Sequence, residues 1–167
     1  MRLLFTVLTL LLSSFLLGTG LTSPAQASSS TASAYASQTV VQTIKIEKIS
    51  DLQFGNAPQG DGPKQIAAGT SESLENASFE VTGEAGRSFF IILPFNGVVT
   101  MNWMGSEEAT ADARPIPVNQ FRSHPSLFGS LDAQGKLRVF VGATRSALHP
   151  RQRPGQYTGQ FSVTVVY

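Results

Sequence analysis

Gly155-Gln156-Tyr157-Thr158-Gly159-Gln160-Phe161-Ser162-Val163-Thr164-Val165-Val166-Tyr167 is the stretch on which the reading of this chain turns. In extended form, Phe161, Val163, Val165 and Tyr167 share one face, and Ser162 and Thr164 share the other. Period-two alternation in β-branched and aromatic residues marks a half-buried strand. Pro154, Gly155 and Gly159 supply the turn that feeds it. The sequence ends on the strand, and a terminal strand is held only by its neighbours. What pairs with it is therefore the central question.

Upstream, the same signals recur. Val40, Val41, Ile44, Ile46 and Ile49 predict a first strand over 39–48. Leu52–Phe54 is a short extended piece that leads into a turn-rich loop ending at Gly62, and Lys64–Ala68 is a short strand candidate. Ala77, Phe79 and Val81 alternate inward. Ser88–Leu93 is nearly continuously apolar, as expected of a strand covered on both faces. Val99, Met101 and Trp103 alternate again. Ile116, Val118 and Phe121 break strict alternation, which predicts a bulge or corner. Asp132-Ala133-Gln134-Gly135 is a tight connection into Leu137, Val139 and Val141.

This makes about seven to nine short strands with Gly, Pro, Asn and Asp at the turns, the pattern of an all-β sandwich or barrel. Residue pattern does not choose between the two. Domain size favours an immunoglobulin-like β-sandwich of one domain over 39–167.

Residues 1–27 read as a secretory signal peptide. Arg2 is a minimal positive region, Leu3–Leu17 is an apolar run, and Ala25-Gln26-Ala27 is a small-x-small cleavage pattern. The run is shorter than the roughly 20 apolar residues of a membrane span. The mature chain is expected to begin at Ser28, to carry no membrane span, and to reside in the periplasm, at the cell surface or outside the cell. Ser28–Gln38, rich in Ser and Ala, is expected to be a flexible arm. Losing Arg2 from the 12 basic residues leaves 11 against 11 acidic ones. Such a neutral chain without basic runs argues against nucleic acid as a partner. The chain has no cysteine, so its core must hold without disulfides, and thiol chemistry is excluded.

The motifs Leu52-x-Phe54-Gly55, Ala77-x-Phe79-x-Val81-x-Gly83, Leu93-Pro94, Val139-x-Val141-Gly142 and the closing Gly155–Tyr167 stretch resemble a known family. It is the bacterial domain-of-unknown-function family 4402, small exported β-domains. More loosely, the chain is similar to spore-coat-U and chaperone–usher pilus subunits. Those share an exported immunoglobulin-like domain and an alternating last strand that ends near an aromatic residue. The resemblance spans about residues 39–167 and implies a fold and an exported location.

Catalytic and metal chemistry find little support. His124 and His149 lack zinc-binding spacing. No serine lies in a Gly-x-Ser-x-Gly setting. Glu107-Glu108 and Asp112 read as a solvated loop rather than a carboxylate pair. Asp51, Asn56, Gln59 and Asp61 do not follow an EF-hand loop. Arg145, Arg151 and Arg153 with His149 form a basic loop, solvated or able to meet an anionic glycan. Trp103 and Phe121 are expected in the core rather than as a sugar-stacking platform.

No cofactor is expected, and no enzyme. The expected function is that of a structural subunit of a cell-surface or fimbria-like assembly. Phe161, Val163, Val165 and Tyr167 would form its strand-pairing edge, and Val41, Ile44 and Ile46 the partner strand, within one chain or between chains. Its partners would then be like subunits and a periplasmic chaperone. The alternative is a monomeric exported ligand-binding or glycan-binding sandwich.

Overall fold

The computed structural model describes residues 29–105 and 112–167. Residues 1–27, expected to be a signal peptide, the expected cleavage bond after Ala27 and the pair Glu107-Glu108 lie outside the described residues. Residues 1–38 and 39–167 fall into separate units. In the first, residues 29–38 form no helix or strand and are exposed.

The second unit is all-β. Its strands are β1 (Lys45–Ser50), β2 (Lys64–Gln65), β3 (Ala77–Thr82), β4 (Ser88–Ile92), β5 (Val99–Trp103), β6 (Ile116–His124), β7 (Phe128–Ser130), β8 (Lys136–Arg145), β9 (Tyr157–Thr158) and β10 (Thr164–Val166). The larger sheet runs β1-β3-β8-β6-β5-β9, with β2 also paired to β8, and the smaller runs β10-β4-β7. All pairings are antiparallel. The two sheets pack as a sandwich. There are ten strands where seven to nine were expected. The strands not expected are β7 and β9, three and two residues long and too short to show an alternation, whereas the Lys64–Ala68 candidate is found as β2.

The core forms where inward rows meet. Ala77, Phe79 and Val81 of β3 and Val139 and Val141 of β8 pack against Phe89 and Ile91 of β4 and Val165 of β10. Each of these valines, isoleucines and phenylalanines contributes about 1.5–3 kcal/mol when fully buried. A second cluster joins Phe54, Ile66, Val99, Val118 and Ala143. Phe161 bridges the two clusters, its ring 6.3 Å from that of Phe79 and 5.1 Å from that of Phe121. Met101, Phe161 and Val163 pack on these clusters but are only half-buried, and Trp103, expected in the core, is half-buried and joins neither cluster.

Local chemistry accounts for several connections. In the turn before β8, Asp132 Oδ1 accepts hydrogen bonds from the backbone of Gln134 (2.9 Å) and Lys136 (2.8 Å). Gly135 supplies the left-handed conformation there, with φ 72°. The break in β6 is a bulge between Asn119 and Arg122, taken up by Gln120 at φ 54°. The extra residue returns Phe121 to the inward face, where it packs against both core clusters.

Two expectations need correction. The first strand begins at Lys45 rather than at 39, because residues 39–44 have no hydrogen-bonded strand beside them. The 88–93 run is covered on one face only: Phe89 and Ile91 are buried, whereas Phe90 and Ile92 are exposed. A continuous apolar run resembles a two-sided strand, but the small sheet has no layer of described residues over its outer face.

Candidate functional site

The final stretch changes sheets. Tyr157 pairs with Trp103 at the edge of the larger sheet. After residues 159–163, Thr164, Val165 and Val166 pair with Ile92, Ile91 and Phe90 of the smaller sheet. The terminal strand is thus held by β4. Of the candidate edge residues, Val165 is buried, Phe161 and Val163 are half-buried, and Tyr167 lies against the turn after β3. The backbone N–H of Glu84 donates to Tyr167 Oη (2.8 Å), and the Arg87 guanidinium sits 4.5 Å from the ring centre. Of the candidate partner residues, Ile46 stands opposite Val81 of β3. Val41 and Ile44 precede β1 and lie in no strand. β1 approaches β10 across the sandwich, but β10 occupies the end of its own sheet.

The two outer faces differ sharply in chemistry. On the larger sheet, Glu80 of β3 faces Lys136 (3.5 Å) and Arg138 (3.5 Å) of β8, and Arg138 also reaches Glu72 (3.6 Å). Such a charged lattice is at ease in water. On the smaller sheet, Val166 of β10, Phe90 of β4 and Phe128 of β7 form one row of directly opposed neighbours. They are 39%, 59% and 63% exposed. Ile92 and Leu127 extend this patch, and no outward residue of β4, β7 or β10 is charged. Periodicity offered no means of finding it, because a continuous apolar run has no preferred face.

A cleft of about 790 Å³ opens elsewhere, between residues 52–59 and 152–157. Its first rim is held by Gln53, whose N–H donates to the Glu75 carbonyl (2.8 Å), and by Lys64, whose Nζ donates to the Phe54 carbonyl (2.9 Å). Gln59 Nε2 ties the two rims together by donating to the Gln152 carbonyl (2.6 Å). Arg145 lies in the wall and is 3% exposed. Its Nη2 donates to Asp61 Oδ2 (2.6 Å) and to the Gly62 carbonyl (3.0 Å). Arg145 therefore belongs to β8 and to the interior, not to a basic loop. It continues the inward row of Val139, Val141 and Ala143, since alternate strand residues share a face.

The other candidates do not assemble into a site. His124 ends β6, while His149 Nδ1 accepts from the Arg151 backbone (3.1 Å). Asp51 pairs with Lys48 (2.8 Å) and Asp61 with Arg145, so the oxygens imagined around calcium are divided. No three His, Asp or Glu side chains among the described residues are grouped to hold a metal. Trp103 packs under Arg153, 4.0 Å from the ring centre, and Phe121 packs on Phe161. No helix among the described residues is long and apolar enough to cross a membrane.

Two antiparallel sheets, no cysteine and an uncharged outer face define a small all-β sandwich domain. Residues 44–167 match the family model described as Domain of unknown function (DUF4402), and the chain belongs to that family. No curated protein and no solved structure matches it.

Proposed function

We propose that this chain is an exported, non-enzymatic structural subunit that packs against copies of itself through the outer face of β10-β4-β7. The observation that carries this reading is the row Val166-Phe90-Phe128, exposed on a sheet face without charge, while the opposite outer face carries an ion-pair lattice. Exposed apolar patches of this kind mark interaction surfaces. β10 ends the smaller sheet, so its edge offers a second contact, separate from the face, at which a neighbour's strand can be added by main-chain hydrogen bonds. The sequence of residues 1–27 supports export.

Light scattering across a concentration series tests this reading. The full chain is expected to form oligomers that grow with concentration. Phe90→Ser combined with Phe128→Ser is expected to leave monomer with little change in thermal stability, since both side chains are exposed. A monomer at every concentration in the unaltered chain would overturn the reading.

A further inference from the structure

We infer that the cleft between residues 52–59 and 152–157 is a binding site for a neutral saccharide, a site independent of the assembly face. Two features of the cleft support this. Its volume, about 790 Å³, lies within the roughly 300–1,000 Å³ of ligand sites. Its lining combines apolar side chains, Phe54, Met101, Ile116 and Leu148, with the carboxamides of Gln53, Asn56 and Gln156. A carboxamide both donates and accepts, as a sugar hydroxyl does, and the apolar lining suits the C–H face of a sugar ring.

The charge balance favours a neutral ligand over an acidic one. The lining carries two cations, and both are engaged: the Arg145 guanidinium faces the Asp61 carboxylate at 2.6 Å, and the Arg153 guanidinium lies 4.0 Å from the Trp103 ring centre, so an added carboxylate would meet groups already partnered. The rims favour a sugar over an extended peptide. Pro58 and Pro154 have no N–H to give, and Gly55 (φ 69°) and Gly155 (φ 137°) leave the extended conformation. Neither rim can offer a continuous strand ladder, so polar recognition falls to side chains.

Saturation-transfer NMR on the full chain tests the assignment, with maltotetraose, cellotetraose and tetra-N-acetylchitotetraose as probes at millimolar concentration. At least one is expected to bind. Ala57→Trp, which fills the mouth from an exposed position, should abolish the signal. Asn56→Ala with Gln156→Ala should weaken binding about tenfold, the size of lost hydrogen bonds. Phe90→Ser should leave binding unchanged, which separates this site from the assembly face. The assignment is overturned if none of the three probes binds, or if binding survives Ala57→Trp in a variant whose circular dichroism is native.

Discussion

Tyr167 and Gly83 are fitted to each other: the phenol hydroxyl occupies the space in which a side chain at position 83 would begin. The last residue of the sequence thereby closes over the turn that leaves β3, and the Glu84 N–H finds its acceptor there (2.8 Å). Gly83→Ala should displace the ring and cost about 1–3 kcal/mol, the usual range for overpacking. Tyr167→Phe alone should cost about 1 kcal/mol for the lost hydrogen bond. In urea denaturation the double variant should lose less than the sum of the two, because both act on one contact. Full additivity would show that the contact does not form in solution.

Phe89 and Phe90 are neighbours in sequence with opposite fates. Phe89 is 1% exposed within the main cluster, whereas Phe90 is 59% exposed. Phe89→Ala should cost about 3–5 kcal/mol, as deletion of a buried aromatic does. Phe90→Ala, compared at a concentration where the chain is monomeric, should cost well under half of that. Chemical denaturation of both variants at low concentration makes the comparison. Equal losses would place a second layer over β4.

Gly155 lies against the only tryptophan of the chain. Its φ of 137° disfavours a side chain, and a Cβ there would strike the Trp103 indole nitrogen. Gly155→Ala should cost about 1 kcal/mol or more, the penalty of a side chain in an incompatible backbone conformation. It should also move the indole away from the Pro154 carbonyl, to which Nε1 donates (3.3 Å). A red shift of the tryptophan emission, read in the same titration, is the expected signature. Unchanged emission and stability would show that the indole does not rest on Gly155.

The sequence by itself determined the all-β class, the inward phase of β3, β8 and β10, the Asp132–Gly135 turn and the break in β6. These are local properties. A period of two is written in consecutive residues such as Phe79 and Val81, and a turn is written in one Asp and one Gly. Tertiary structure alone decided what each face meets. Val165 pairs with Ile91, far back in the chain, while Ile46 pairs with Val81, and alternation is the same whichever partner a strand takes. Phe90 is apolar like Phe89, yet only the absence of a layer of described residues over the small sheet leaves it exposed. Arg145 reads as one basic residue among three near His149, but its place at the end of the inward row of β8 buries it beside Asp61. Pairing, layering and burial depend on residues distant in sequence, and one strand's own pattern carries no record of them.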